Sequence, residues 1–219
     1  HRLADRVTVL RDAKYIGTWT VGEVTEADLV KQMVGRSIDQ YFPKKTAPIG
    51  EELLKVEGLS RTGFFADVSF TLHAGEILGL TGLVGAGRTE VVEAVCGVTR
   101  KSAGRIFVEG REVDIRSPNE ALKLGVGLLP EDRQKQGLLL AWSIGRNITL
   151  PAIKRFTKRG LIREAGERKE AEHFKTLMKI RATSIDDTAM SLSGGNQQKV
   201  VVAKLLSGES KILILDEPT

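Results

Sequence analysis

The stretch that decides the fold of this 219-residue chain is Gly82-Leu83-Val84-Gly85-Ala86-Gly87-Arg88-Thr89. It follows an apolar run at residues 77–80 that predicts a strand, and it opens a predicted helix. The pattern is that of a phosphate-binding loop, G-x-x-x-x-G-K-[ST], with Arg88 in the place of the lysine. Its glycines let backbone N–H groups converge on phosphate oxygens, and the Thr89 hydroxyl suits Mg²⁺. A glycine-rich strand-to-helix turn is the alternative interpretation.

A second segment, Ile212-Leu213-Ile214-Leu215-Asp216-Glu217, is an apolar strand that ends in two carboxylates. A strand end beside a phosphate-binding loop is where a metal-holding acid belongs. Asp216 is thus the candidate to hold Mg²⁺ through water, and Glu217 the candidate general base for the attacking water. A polar strand end at the surface is the alternative. Because wholly apolar strands are usually covered on both faces, the segment predicts a parallel sheet.

The third segment is Leu192-Ser193-Gly194-Gly195-Asn196-Gln197-Gln198-Lys199. It offers a hydroxyl, free amides and a helix N-terminus to an anion. Taken alone, it equally fits a capped helix with a flexible entry. The order of the three segments along the chain favours the anion-binding interpretation. Three unrelated turns would rarely follow one another in this order and at these spacings.

Composition places the chain among folded proteins, with 41% hydrophobic and 28% charged residues. The uncharged run at residues 77–87 is too short to cross a bilayer. The first residues lack the order of a secretory signal, and one cysteine, Cys96, cannot form an intrachain disulfide, so we expect a reducing compartment.

The net charge of +5 raises the question of a polyanionic partner. Much of the surplus lies in residues 153–175, which hold eight Lys or Arg against four Glu. A solvated helix face is the favoured interpretation, because Glu164, Glu167 and Glu170 lie at helical spacings from cations. A groove for a polyanion remains the alternative.

The chain divides near residue 50. Before it, two short strands and a helix that starts at Thr25 are followed by a linker with Pro43 and Pro48. After it, the pattern predicts strands at 53–56, 68–72, 77–80, 126–129 and 212–215, a hairpin at 105–115, a helix capped by Ser117, and helices at 163–180 and 196–206.

In this order the motifs resemble the ATP-binding cassette (ABC) family, with residues 192–199 as the signature motif and 212–217 as Walker B. Together with Leu129-Pro130-Glu131-Asp132-Arg133, they are similar to the second cassette of tandem bacterial monosaccharide importer ATPases of the ribose, galactose and xylose type. The resemblance implies an α/β fold: a P-loop NTPase (RecA-like) core with an antiparallel β subdomain and a helical signature subdomain. Residues 1–36 would be the C-terminal tail of the first nucleotide-binding domain, 37–50 the linker, and 51–219 the second cassette, truncated after Walker B.

The resemblance also implies roles for individual residues. Glu217 and Glu131 would be catalytic, with Glu131 at the position of the family's Q-loop glutamine. Thr89 and Asp216 would hold Mg²⁺, and Phe64 or Phe65 would stack on the base. ATP would further be bound by Gly82, Leu83, Val84, Gly85, Ala86, Gly87, Arg88 and Thr89, and the γ-phosphate in the partner site by Leu192, Ser193, Gly194, Gly195 and Gln197.

Departures from the family pattern lead to a hypothesis about the rate of ATP hydrolysis. The Arg88 guanidinium is larger and forked where ammonium is a compact donor, and Glu131 adds a negative charge near the metal. The chain also stops before the D-loop and switch histidine of the family. We therefore expect the Arg88 site to bind ATP but to turn it over slowly, and this chain alone to be inactive or very slow.

The resemblance implies an energy-coupling ATPase subunit of an ABC importer for simple sugars. Its partners would be the sugar permease transmembrane subunits, the first cassette of the same polypeptide and, indirectly, a periplasmic sugar-binding protein, with no nucleic acid. Its place would be peripheral, on the cytoplasmic face of the bacterial inner membrane. Two alternatives stay open: a non-hydrolysing structural cassette that lends only its signature, and an ABC ATPase that acts on nucleic acid.

Overall fold

The computed structural model describes residues 4–11, 13–34, 47–83 and 85–218. It divides the chain into two compact units, His1–Pro48 and Ile49–Thr219. Most of the predicted linker, residues 37–50, lies outside the described residues, as does Val84 of the phosphate loop. No helix among the described residues is long and apolar enough to cross a membrane.

The first unit contains an antiparallel hairpin and one helix. Strands β1 (Arg6–Arg11) and β2 (Lys14–Thr20) pair, and helix α1 (Glu26–Val34) follows. Thr25 caps this helix as predicted: its hydroxyl accepts from the Asp28 N–H at 3.2 Å, and the Asp28 carboxylate accepts from the Thr25 N–H at 3.1 Å. The Thr25 hydroxyl also donates to the Asp28 carboxylate at 2.7 Å, and this bond, together with the one from the Thr25 N–H, holds the pKa of Asp28 below its usual value.

A four-stranded antiparallel sheet opens the second unit. Its strands are β3 (Glu52–Arg61), β4 (Phe65–His73), β5 (Ala103–Val108) and β6 (Arg111–Val113), in the order β4-β3-β5-β6. The predicted hairpin around Gly110 is confirmed. Leu54, Val56 and Ile106 are buried in a core that also receives Val95 and Ile212, so this sheet packs against the elements that carry the phosphate loop and the acidic strand end.

Helices and a parallel strand pair make up the remainder of this unit. The helices are α2 (Arg88–Val95), α3 (Pro118–Lys123), α4 (Ile144–Thr149), α5 (Ile153–Phe156), α6 (Glu164–Leu177) and α7 (Gly194–Ser207). The strands are β7 (Val126–Leu129), the short pair β8 (Thr157–Lys158) and β9 (Leu161–Ile162), and β10 (Ile212–Leu215). Strand β10 pairs with β7 in parallel, as the apolar pattern predicts.

A second core holds the helical part together. Ile144 and Ile148 of α4 meet Phe174 of α6 and Val200 of α7, all buried. At its centre lies Asn147, fully buried, whose amide accepts from the Leu139 N–H at 2.9 Å and donates to the carbonyls of Leu139 and Ser143 at 3.0 Å. Because each of these polar atoms has a partner, Asn147 fixes the loop that enters α4 without the cost of an unsatisfied buried group.

The predicted strand at residues 77–80 is wrong. The structure gives this segment no strand pairing among the described residues, and the Ile77 side chain is 95% exposed. An apolar run becomes a strand only where another strand supplies hydrogen bonds, and the neighbouring β10 bonds to β7 alone within the described parts of the chain. The expectation that β10 is covered on both faces is also wrong, because Leu213 and Leu215, which share one face of the strand, are 36% and 47% exposed.

Candidate nucleotide-binding site

The glycine-rich loop makes a tight turn before helix α2. Gly85 and Gly87 have φ angles of +82° and +86°, a left-handed conformation that favours glycine, and the Ala86 N–H donates to the Leu83 carbonyl at 3.0 Å. A Cβ on Gly82 would lie 3.0 Å from the Ala86 side chain, so the turn leaves little room for a larger residue. The loop therefore has the compact backbone that phosphate binding requires.

Helix α2 is fixed in place by its apolar residues. Val91, Val92 and Val95 are buried, and they anchor the helix whose first residues are Arg88 and Thr89. The helix N-terminus carries the partial positive charge that favours an anion. Burial of one face thus holds the loop and the first turn of α2 together.

The Thr89 hydroxyl meets the end of strand β10. It donates to the Asp216 carboxylate at 3.2 Å, and Asp216 is buried, with 8% of its surface exposed. The Asp216 N–H donates to the Leu129 carbonyl at 3.0 Å, which extends the parallel pairing of β10 with β7 by one bond. A hydroxyl and a carboxylate this close together are oxygen donors of the kind that Mg²⁺ takes together with substrate phosphates, so the residues fit this ion.

Arg88 and Glu217 form an ion pair across the same gap. The guanidinium Nη2 donates to the Glu217 Oε1 at 3.0 Å, and the Glu217 side chain is half exposed. Glu217 has a φ of +45°, in the left-handed region, and Pro218 follows it. The two groups predicted to act on the phosphates and on the attacking water thus neutralise each other in this structure.

Phe64 and Phe65 are distinguished by their environments. Phe64 is 55% exposed, and the Arg61 guanidinium lies 3.8 Å from its ring centre. Phe65 is partly buried and packs against the core of the antiparallel sheet. A Cβ on Gly87 would lie 3.5 Å from the Phe64 carbonyl, so the start of α2 lies close to this pair. Phe64 is therefore the aromatic ring that remains accessible beside the loop.

The signature segment lies at the start of α7. Ser193 and Gly195 are exposed, and the Ser193 hydroxyl accepts from the Asn196 amide at 3.0 Å. Leu192 is buried, and so is Gln197, whose Nε2 donates to the Ala189 carbonyl at 3.2 Å and whose Oε1 accepts from Gln134 at 3.0 Å. Since both of its polar atoms are bonded within the chain, Gln197 supports the helix and is not presented to a ligand in this structure.

Glu131 lies apart from these contacts. It is exposed, and no hydrogen bond or ion pair joins its side chain to another of the described residues. Two residues that sequence reasoning left without a role, Arg133 and Gln134, instead touch the signature segment: a Cβ on Gly194 would collide with the Arg133 guanidinium. Arg133 is the last residue of the motif at residues 129–133 and Gln134 follows it directly, and this position was the signal that could have identified them.

The fold and this site define a P-loop nucleotide-binding cassette: a glycine-rich loop and helix N-terminus face an acidic strand end. Comparison with known families agrees, since the ABC transporter family model matches residues 65–219. The chain belongs to the ABC transporter family.

The relatives in sequence are import proteins. The chain is 45% identical over 218 residues to a ribose import ATP-binding protein of Jannaschia sp. and 46% identical over 217 residues to that of Geobacillus kaustophilus, covering 42% and 44% of those proteins. A putative ribose/galactose/methyl galactoside import ATP-binding protein of Geobacillus kaustophilus is 44% identical, with 43% of it covered. The chain therefore spans less than half the length of the curated relatives it matches.

Solved structures share the fold. A protein of Clostridium perfringens described as part of the ABC transporter complex cbiONQ has a TM-score of 0.62 at 25% identity, covering 77% of this chain and 67% of that one. A dimeric ATP-binding cassette in a post-hydrolysis state, bound to ADP and Pi, has a TM-score of 0.62 at 19% identity, covering 76% and 75%. The cassette fold predicted from the sequence is confirmed.

Proposed function

We propose that this chain is the ATP-binding part of an ABC importer for simple sugars, which couples ATP binding and hydrolysis to movement of a permease. The observation that carries the proposal is the pair of contacts that join the phosphate loop to the acidic strand end, Thr89 with Asp216 and Arg88 with Glu217. The relatives, which are import proteins for ribose or for ribose, galactose and methyl galactoside, support ribose or a related sugar as the transported class.

In this proposal the residues 82–89 bind the phosphates of ATP, and Phe64 stacks on the base. Thr89 and Asp216 hold Mg²⁺, which supplies positive charge against the phosphates when bound. Glu217 accepts the proton of the attacking water, a role that requires its release from Arg88. Glu131 acts as an outer ligand of metal or water, as its position after strand β7 suggests.

Leu192, Ser193, Gly194 and Gly195 serve a second site in this proposal. Exposed serine and glycine at the start of a 14-residue helix suit the γ-phosphate of an ATP held by another cassette. We propose that this other cassette is the first cassette of the same polypeptide, with residues 1–36 as its tail. The remaining partners are the sugar permease and, through it, a periplasmic sugar-binding protein, at the cytoplasmic face of the inner membrane.

The ion pair of Arg88 with Glu217 also favours a second candidate function, a cassette that binds ATP with little or no hydrolysis. While the pair persists, the Arg88 guanidinium holds one oxygen of the Glu217 carboxylate, and the side chain has to leave this contact before it can act on a water molecule. Slow turnover at this site fits both candidates, and variants of Arg88 separate them.

We expect Arg88→Gln to weaken Mg-ATP binding by about 10- to 150-fold, because it removes a charged hydrogen-bond donor worth about 1.5–3 kcal/mol. Arg88→Lys keeps the charge, so its affinity stays within a few-fold of the native value, and its turnover rises because an ammonium crowds the phosphates less. Calorimetric titration with Mg-ATP and phosphate release measure the two effects.

Arg116→Gln is the matched control, because Arg116 is an exposed arginine that pairs with Asp114 in the loop between β6 and α3. It should leave affinity and turnover unchanged. Equal loss of affinity in both variants would show that net charge alone binds the nucleotide. Unchanged turnover in Arg88→Lys would favour the cassette without hydrolysis.

A further inference from the structure

A small hairpin follows helix α5, and we call residues 154–163 the basic hairpin. Strands β8 and β9 pair with Thr157 opposite Ile162 and Lys158 opposite Leu161. The turn residues Arg159 and Gly160 have φ angles of +51° and +80°. Positive φ at both central residues is the geometry of the two-residue turns that suit tight hairpins.

Unpaired positive charge is concentrated in this hairpin. Of the cations in residues 153–175, three are ion-paired elsewhere: Arg155 with Glu170 at 2.8 Å, Arg168 with Asp186, and Lys175 with Glu172. By contrast, four exposed cations of the basic hairpin make no ion pair with any of the described residues; they are Lys154, Lys158, Arg159 and Arg163. Glu170 and Glu172 therefore neutralise cations other than these four, and Lys169 on α6 is the eighth cation of the stretch.

Two aliphatic side chains stand exposed among these charges. Leu161 is 76% exposed and Ile162 is 48% exposed. Folding within the unit buries only a minor part of Leu161 and about half of Ile162, and a strand of two residues gains little stability from them. Exposed aliphatic residues next to unpaired cations are the combination that binds the surface of an anionic membrane.

The base of the hairpin is fixed although its tip is exposed. The Arg163 N–H donates to the Phe156 carbonyl at 2.8 Å, and the Thr157 hydroxyl donates to the Ile153 carbonyl at 2.8 Å. Arg155 donates to the Ser207 carbonyl at 2.7 Å and so ties the entry of the hairpin to the end of α7. The backbone that carries the cations and the aliphatic residues is thus ordered before any partner binds, which lowers the entropic cost of binding.

We propose that the basic hairpin binds the surface of a bilayer that contains anionic phospholipids. Lys154, Lys158, Arg159 and Arg163 meet the headgroup phosphates, and Leu161 with Ile162 enters the boundary of the acyl chains. A single-stranded nucleic acid fits less well, because its bases stack on exposed aromatic rings and the apolar tip here is aliphatic. This contact goes beyond the proposed function and does not depend on nucleotide.

The test is co-sedimentation of the 219-residue chain with vesicles of phosphatidylcholine and phosphatidylglycerol, against vesicles of phosphatidylcholine alone. We expect binding to the anionic vesicles only, weakening as salt is raised. Lys158→Gln with Arg159→Gln should lower the vesicle partition constant about 30-fold, since each cation near the surface contributes about fivefold. Leu161→Ser with Ile162→Ser should also weaken binding, without changing its dependence on salt.

Arg111→Gln with Lys123→Gln is the matched control, because it removes two exposed cations from β6 and α3 of the same unit. This double variant should have a vesicle partition constant within about twofold of that of the native chain. The Mg-ATP affinity of every variant should equal that of the native chain. Circular dichroism shows whether each variant is folded.

A fluorescent label at Leu161→Cys reports whether the tip enters the bilayer. Cys96 does not compete for the label, because it is 1% exposed and burial raises the pKa of its thiol to about 12. A blue shift of emission with anionic vesicles is the expected result. Equal loss of binding in the control pair, no preference for anionic vesicles, or binding of an RNA oligonucleotide in place of vesicles would each overturn the proposal.

Discussion

Glu217→Gln should lower the rate of ATP hydrolysis by about 10²- to 10⁴-fold while Mg-ATP stays bound. The amide keeps the size of the carboxylate but cannot accept the proton of the attacking water. It also no longer forms an ion pair with Arg88, which now meets Glu217 at 3.0 Å, so the guanidinium is free to turn to the phosphates. Affinity should therefore be native or higher. Single-turnover phosphate release with the chain in excess resolves even a slow native rate.

Glu209→Gln supplies the control for this change. Glu209 is an exposed carboxylate that pairs with Arg155 in the helical part of the unit. Its loss should leave hydrolysis and Mg-ATP affinity as they are. If Glu217→Gln hydrolyses ATP at the native rate, Glu217 is not the general base, and the cassette is either inactive at this site or uses another group.

Gly104→Ala should cost about 2–5 kcal/mol in the free energy of unfolding. Gly104 has a φ of +94°, and a Cβ there would lie 2.5 Å from the Gly58 carbonyl oxygen and from the Leu59 Cα. The obstacles are backbone atoms of β3, next to a register shift in its pairing with β5, and they cannot rotate away as a side chain would. A left-handed φ costs about 1–2 kcal/mol, and overpacking adds about 1–3 kcal/mol.

Gly110→Ala separates these two contributions. Gly110 has a φ of +74° in the turn between β5 and β6, but nothing lies within 4 Å of a Cβ placed there. The Gly110→Ala substitution should lower the free energy of unfolding by the conformational contribution alone, about 1–2 kcal/mol. Urea unfolding followed by circular dichroism measures both variants. Equal destabilisation would show that the close approach of β5 to β3 does not constrain residue 104.

Local signals in the sequence predict local structure well here. Ser117 with Glu120 predicts the start of α3, and the Ser117 hydroxyl accepts from the Glu120 N–H at 3.3 Å. The apolar run at residues 77–80 shows where such signals fail. It is as apolar as β10 apart from Gly79, but a strand also needs a neighbouring strand to hydrogen-bond with, and no local pattern shows whether one pairs there.

In the candidate site, too, local motifs are predicted from the sequence and contacts between distant residues are not. The glycine loop and the acidic strand end are predicted from short motifs, because each has its own local pattern. The contacts between them join residues 127 and 129 positions apart, and no local pattern gives such pairs. Gln197 illustrates the converse: the motif marks a helix start correctly, but its partner Gln134 lies 63 positions away, so its buried role could not be predicted.

Calorimetric titration of the chain with ATP shows whether the loop at residues 82–89 binds ATP together with Mg²⁺ held by Thr89 and Asp216. We expect a single ATP bound per chain, more tightly with Mg²⁺ than with EDTA, and loss of that Mg²⁺ dependence in Thr89→Ala. Absence of ATP binding in both the native chain and Arg88→Lys would contradict this expectation.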